Sequence, residues 1–270
     1  MGAGRGNLPD NAAMPTIDGD DVTGVQARAK PRRRWLRRLL WLAGFVIVFP
    51  VLQVVTLRFI DPPFSSFMLI RQVEAWSQAD WDHRIAHEWR DLGAMSPQLP
   101  VALIAAEDQR FVEHGGFDMQ AIEQARASNE RGRRMRGGST ISQQTAKNLF
   151  LWSGTGWSRW LRKGLEAWYT FWMELIWPKQ RILELYANFA EFGDGVYGAQ
   201  AAARTWFGKD AARLSAAESA RLAAVLPSPR RYSVARPGPY VQRRTRAIER
   251  QMRAIGGASA LREVEGGGRK

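Results

Sequence analysis

The sequence predicts a mainly α-helical domain preceded by one transmembrane helix, and three observations carry that prediction. An arginine cluster, Arg32, Arg33, Arg34, Arg37 and Arg38, runs into an apolar stretch at residues 39–57, close to the ~20 residues that a helix needs to cross a bilayer. From residue 101 to about residue 255 the apolar spacing is helical almost throughout. Helix breakers punctuate it at Gly115-Gly116, Gly137-Gly138, residues 154–156, Pro178, residues 193–195 and residues 227–229. No run of alternating β-branched residues marks a sheet.

The chain has 270 residues, enough for one core of roughly 200 residues plus appendages. Residues 1–30 are rich in Gly, Asp, Ala and Pro without apolar period, and are expected to be a disordered cytoplasmic tail. Residues 31–60 form the basic flank and the anchor. Pro50 falls inside this helix, which membrane helices tolerate, and Trp35 and Trp41 suit the headgroup region. A buried soluble helix rarely combines such an arginine cluster with continuous apolarity. A cleaved signal peptide is disfavoured by the long leader and by the absence of a small-x-small site in DPPFSSF. The basic flank is expected to stay cytoplasmic, which sends the rest of the chain to the periplasmic side.

Asp61-Pro62-Pro63 ends the anchor. Residues 61–99, with Trp76, Trp81 and Trp89 among charged residues, read as an amphipathic, membrane-proximal connector, residues 100–255 as the main domain, and residues 256–270 as a C-terminal tail whose end, EGGGRK, is frayed. Twelve tryptophans and a net charge of +13 imply one amphipathic and one anionic partner surface. With no cysteine in the chain, disulfides, thiolate nucleophiles and cysteine-bound metals are excluded.

Three segments carry chemistry. In VALIAAEDQRFVEHGGFD, Leu103, Glu107, Phe111 and His114 are spaced four, four and three residues apart, which on a continuous helix places them on one face. A carboxylate on an apolar stripe is desolvated and its pKa rises, as a general base or acid near neutral pH requires. A glutamate bonded to a neighbouring backbone or arginine fits this segment equally well, and Asp108 has the setting of a structural cap. In RGRRMRGGSTISQQTAKNLF, Thr140 and Gln143 have the capping-box form. That helix start, with Arg134, Arg136 and Lys147 nearby, can receive a phosphate or sugar hydroxyls. In RKGLEAWYTFWMELIW, Arg162 and Lys163 precede Glu166 by four and three residues. This is either an exposed ion pair worth ~0.3 to 0.5 kcal/mol or a site that holds a pyrophosphate beside a second acid.

The segments EDQRFVEHGGFD, RGGSTISQQTAKNLF, RKGLE and KQRILELYANFAEFGDGVYGAQAAARTWFGK, in this order, closely resemble the glycosyltransferase family 51 enzymes, and the resemblance spans roughly residues 32–231. It implies a lysozyme-like, mainly α-helical domain with a smaller membrane-facing lobe, and polymerisation of lipid II into glycan strands in cell-wall biosynthesis. It assigns Glu107 as general base, Glu166 as second essential carboxylate, and Arg162, Lys163 and Arg134 or Arg136 as donor-pyrophosphate binders. Asp108, Phe111, His114, Ser139, Thr140, Gln143, Gln144, Lys147 and Asn148 match cleft-lining positions. Lys179, Glu184 and Asn188 match a motif of chiefly structural character. Two positions depart mildly from the frequent pattern: Ala187 between Tyr186 and Asn188, and Trp206 before Phe207-Gly208.

The resemblance also sets the partners: lipid II, the lipid-linked glycan strand, the inner membrane crossed once, and other cell-wall synthesis proteins. Nucleic acid is not expected behind a membrane anchor. No resident cofactor is required, although Mg²⁺ or Mn²⁺ can assist at the pyrophosphate. A glycan-cleaving hydrolase would use one or two carboxylates but has no need of the Arg162-Lys163 pair. A non-catalytic lipid-binding protein would explain the charge but not the two glutamates. No Ser-x-x-Lys, Ser-x-Asn and Lys-Thr-Gly set occurs, so cross-linking of peptides is expected of another protein.

Overall fold

The computed structural model describes residues 1–2, 32–130, 138–154 and 156–266, and it divides into two units, Met1–Gly44 and Phe45–Lys270. Beyond Met1 and Gly2, the described part of the first unit is the opening of α1 (Arg32–Leu57), a single helix of 26 residues. Its residues Arg34–Leu57, of mean hydropathy 2.3, are long and apolar enough to cross a membrane. Trp41, Phe45, Val48 and Leu52 stay exposed along it.

In the second unit the end of α1 is bonded to the domain that follows. Trp177 Nε1 donates to Val54 O at 2.7 Å, Tyr169 Oη to Gln53 Oε1 at 2.6 Å, and Arg181 Nη2 to Leu57 O and Ile60 O at 2.9 and 3.0 Å. The expected connector is built from α2 (Ser66–Ser77), capped by the Ser65 hydroxyl, and from β1 (Ala86–His87).

At the centre lies α3 (Gln98–Glu107), in which every residue from Leu99 to Ala105 is buried, the pattern of a helix enclosed on all sides. It begins two residues before Pro100, whose missing N–H falls among the first-turn donors that have no partner within a helix. After it along the chain come α4 (Met119–Glu130), α5 (Ile141–Phe150), α6 (Ser158–Ile176), α7 (Lys179–Phe189), α8 (Ala199–Phe207), α9 (Ala216–Val225) and α10 (Pro239–Ala254). Helices α9 and α10 pack on α3, and α5 packs against α6 and α7.

Three features depart from the sequence reading. First, there is a small sheet: β1 pairs in parallel with β3 (Val196–Tyr197), which pairs antiparallel with β2 (Glu191–Gly193). Strands of two and three residues are too short to write a period-two pattern. Gly198 turns β3 into α8 at φ +84°, where a Cβ would stand 2.5 Å from Asn188 O. Second, α3 stops at Glu107 because Asp108 adopts φ −159°, ψ 76°. Phe111 and His114 therefore sit in the turns after the helix rather than on its face. Third, the segment after Ile255 is folded as far as Gly266: it forms α11 (Ala260–Gly266), with Val264 buried.

Candidate active site

Glu107 ends α3 half-buried, with the Oε1 of its carboxylate withdrawn from solvent. Gln144 Nε2, from the second turn of α5, donates to its Oε2 at 2.9 Å, while Arg244 Nη2 on α10 stands 3.5 Å from its Oε1. That Oε1 is buried and accepts no hydrogen bond among the described residues. Burial pushes the Glu107 carboxyl above the usual carboxylate range, partly offset by the Gln144 hydrogen bond and by the charges of Arg244 and Lys147. The result is a carboxylate hydrogen-bonded on one oxygen, with the other facing the Arg244 guanidinium and accepting no hydrogen bond, so that it can take a proton.

The orientation of the Gln144 amide is itself determined. Tyr186 of α7, fully buried, donates from its hydroxyl to Gln144 Oε1 at 3.2 Å, which turns the amide nitrogen toward Glu107. Burial holds the Tyr186 phenol well above its ordinary pKa, so it stays a donor.

A second carboxylate has the opposite setting. Glu166, buried on α6, accepts from Arg162 Nη1 at 3.0 Å on Oε2 and from Lys163 Nζ on Oε1. Lys163 Nζ also reaches Ser139 Oγ at 3.5 Å, and Arg162 Nε is buried without a hydrogen-bond partner among the described residues. Between the two carboxylates lies Lys147 on α5. Burial lowers its pKa, and it feels the attraction of Glu166 and Glu107 against the repulsion of Arg162 and Lys163. Gln144, Lys147 and Asn148 fall at i, i+3 and i+4 of one helix face. Spacing alone left the Arg162–Lys163–Glu166 cluster between an exposed pair and an anion site. Its carboxylate is buried, so it is not an ordinary surface pair.

The remaining motif residues build the support. Asp108 Oδ2 accepts from the Ile141 amide at 3.0 Å, tying the end of α3 to the start of α5, and Oδ1 lies 2.9 Å from His114 Nε2. Thr140 and Gln143 form the reciprocal capping box, and the Thr140 hydroxyl donates to Gly116 O at 2.7 Å. Gly116 takes φ +84° against α6, where a Cβ would meet Thr170 Cγ2 at 2.7 Å. Phe111 is fully buried under Lys179, whose ammonium stands 4.5 Å from the ring centroid and donates to His114 O at 2.6 Å. Glu184 accepts from the Leu92 amide, and Asn188 exchanges hydrogen bonds with the backbone of Arg90. Arg134 and Arg136 lie outside the described residues.

Asp108, His114 and Asp118 bring ligand-type atoms within 4.8 Å of one another, but they do not suit a cation. Asp108 is committed to Ile141 and His114, and Asp118 accepts from the Ala121 amide and faces the Arg110 guanidinium at 3.3 Å.

Arg244 is the site residue that motif reasoning missed. A signal for it exists in the sequence: Arg244 shares a helical face with Val241, Ile248 and Met252, all buried. It is thus a cation on an apolar stripe, as Glu107 is a carboxylate on one.

This pairing of a desolvated carboxylate with a cation-bound one, set in a helical domain, is that of a glycosyl-transferring enzyme, and a transglycosylase family model matches residues 74–253. The chain belongs to the transglycosylase family. It is similar to the biosynthetic peptidoglycan transglycosylase of Xanthomonas campestris pv. campestris, 59% identical over 237 residues that cover 87% of this chain and 95% of the relative. The enzyme of the same name from Xanthomonas axonopodis pv. citri is 57% identical over 248 residues, covering 90% and 98%. That from Xylella fastidiosa is 55% identical over 239 residues, covering 88% and 97%.

Proposed function

We propose that this chain is a peptidoglycan glycosyltransferase that polymerises lipid II into glycan strands by inverting β-1,4 transfer, releasing undecaprenyl pyrophosphate and forming no peptide cross-links. The observation that carries the proposal is the contrast between the two carboxylates, Glu107 with a buried free oxygen and Glu166 clamped by two cations.

Glu107 Oε1 takes the proton of the acceptor 4-hydroxyl as that oxygen forms its bond to the donor anomeric carbon. The bond from that carbon to the pyrophosphate oxygen breaks, and the electron pair leaves with the pyrophosphate. A pyrophosphate needs charge stabilisation more than a proton, and Arg162, Lys163 and Lys147 supply it, with Glu166 holding the first two in place. Ser139 and Asn148 line the same cleft. The chemistry calls for no resident cofactor. Mg²⁺ or Mn²⁺ would assist through the pyrophosphate oxygens, since the Asp108–His114–Asp118 cluster does not fit a metal. A glycan-cleaving enzyme would leave these cations without a task.

The anchor supports placement in the bacterial inner membrane with residues 1–30 cytoplasmic and the domain periplasmic, where it meets lipid II and other cell-wall synthesis proteins. The test is incubation of the full chain in detergent with labelled lipid II. Long polymer with release of the lipid pyrophosphate is expected, and shortening of added glycan without polymer would reject the proposal.

A further inference from the structure

Helix α6 carries a third carboxylate that the proposed chemistry does not use. Glu174 follows Glu166 by eight residues, on the ridge that passes through the buried Thr170. Its side chain is only 10% exposed, and one of its oxygens gathers two donors: Oε1 accepts from Ser142 Oγ and from Lys179 Nζ, the latter at 2.9 Å. Three helices thus meet at a single atom, since Ser142 lies in the first turn of α5 and Lys179 opens α7.

On its own helix this is a poor position for a carboxylate. Glu174 stands in the last turn of α6, where the helix dipole opposes a negative charge, whereas the first turn of α5 favours one. The residue is therefore explained by what it meets across the interface. Ser142 is fully buried between Ile141, whose amide binds Asp108, and Gln143 of the capping box. A hydrogen bond to an ionised acceptor is about twice as strong as one between neutral groups. Lys179 meanwhile stays tied to His114 O and to the Phe111 ring. The fit leaves no slack: a Cβ on Gly116 would come within 2.8 Å of Glu174 Cγ.

What this joint controls is the register of α5 on α6. Two contacts bracket Lys147 along α5. The Phe150 ring stacks on Tyr169 of α6, with centroids 4.2 Å apart and planes within 8°, an apolar contact that holds the helices together but resists sliding weakly. The hydrogen bond between Ser142 and Glu174 is directional and does resist it. The cations of the site come from both sides of this interface, Lys147 from α5 and Arg162 and Lys163 from α6, and Lys163 also reaches Ser139 at 3.5 Å just before α5 begins. The partners of Glu107 are placed differently: Gln144, Arg244 and Tyr186 behind Gln144 belong to α5, α10 and α7, and none of them to α6.

We propose that Glu174 is a positioning residue for the transfer: through Ser142 it sets α5 against α6 so that Lys147, Arg162 and Lys163 converge on one pyrophosphate. The inference rests on the transferase reading above. It separates two demands on the same cleft, since the base is tuned from α5, α7 and α10, while the charge of the leaving group is met across the interface of α5 and α6.

The test compares the full wild-type chain in detergent with Ser142→Ala, Glu174→Gln and the double variant, with labelled lipid II as the probe. Single-turnover polymerisation is measured across pH, beside lipid II affinity and unfolding temperature. A displacement near 1 Å costs up to ~10²-fold in rate, so each single variant should lose ~10- to 100-fold in turnover. Lipid II affinity should stay near that of the wild type, because Arg162 and Lys163 still hold the pyrophosphate of the bound substrate. The acidic limb of the pH–rate profile should stay in place, because no partner of Glu107 is altered. The double variant should match the slower single variant within ~2-fold, since both changes break one link. A merely structural role would lower the unfolding temperature and leave the rate per folded molecule unchanged. Wild-type turnover in folded Ser142→Ala, losses that multiply in the double variant, or a shifted acidic limb would each overturn the proposal. Ser142→Ala is the milder change and carries the test alone where Glu174→Gln, which strands the Lys179 ammonium, fails to fold. A wild-type chain that makes no polymer rejects the transferase reading and this proposal with it, whereas an active wild type with unaffected variants rejects this proposal alone.

Discussion

Tyr186 donates its phenolic proton to Gln144 Oε1 at 3.2 Å, and that bond sets which end of the Gln144 amide faces Glu107. Without it the amide can turn its oxygen toward the carboxylate, which favours the protonated acid. Tyr186→Phe keeps the ring and removes the donor. Its turnover should fall ~10-fold, within the general-base contribution, with lipid II affinity unchanged and the acidic limb of the pH–rate profile moved to higher pH. A variant that loses rate with an unshifted limb would show Tyr186 to be packing only.

Arg244 acts on the same carboxylate by charge. It pulls the Glu107 pKa down against the burial that raises it, together with Lys147 on α5, while Asp108 next in sequence and Tyr186 on α7 complete the titratable surroundings. Arg244→Met should raise the Glu107 pKa further. The base is then protonated over a wider range, so kcat/KM at neutral pH drops and recovers as pH rises. Arg244→Lys should restore part of the rate. A fall that is flat across pH would contradict the electrostatic role.

The end of α1 belongs structurally to the domain after it, which sharpens a truncation experiment. Removing residues 1–60 strips Arg181 of Leu57 O and Ile60 O and Trp177 of Val54 O, leaving buried donors unpaired at a cost of ~2 to 5 kcal/mol. Removing residues 1–44 keeps these bonds. Thermal unfolding should therefore occur at a clearly lower temperature in the shorter protein. Both should still bind lipid vesicles through Leu69, Val73, Trp76 and Trp160, which are exposed. Equal unfolding temperatures would dismiss the structural role of residues 45–60.

Glu107 also leaves a mark on stability. Its carboxyl is held above the unfolded value, so the folded protein binds the proton more tightly, and stability falls as pH rises from the ordinary carboxylate range through the raised pKa. Glu107→Gln removes that loss. The variant should melt above the wild type at neutral pH, by ~2 to 4 °C for each kcal/mol, with the gain shrinking as pH falls toward the ordinary range. A variant that melts lower at neutral pH would contradict the desolvated setting.

Much of this site was readable in the sequence because its residues are short-range neighbours. Glu166 sees Arg162 and Lys163 across one helical turn, Thr140 sees Gln143 the same way, and Glu107 announces itself by sitting on an apolar stripe. What escaped is long-range or irregular. Arg244 lies far along the chain from Glu107, among other arginines that look alike until burial separates them. The approach of Asp108 to the Ile141 amide depends on α3 ending at Glu107, and nothing in the continuous spacing to Phe111 and His114 marks that break. The strand at Ala86 finds its partner only at Val196, far along the chain, and residues 260–266 fold against α3 and α7, with Val264 buried, which no local pattern marks.

In the proposed mechanism Glu107 is the base, through the Oε1 that accepts no hydrogen bond, while Glu166 orders the cations. Single-turnover polymerisation and lipid II affinity measured side by side for Glu107→Gln and Glu166→Gln test it most directly. Glu107→Gln should lose ~10² to 10⁴ in turnover with lipid II still bound. Glu166→Gln should show altered lipid II affinity together with lost polymerisation, because Arg162 and Lys163 are released. Near wild-type turnover in Glu107→Gln, or loss of lipid II binding as its only defect, would rule out Glu107 as the base.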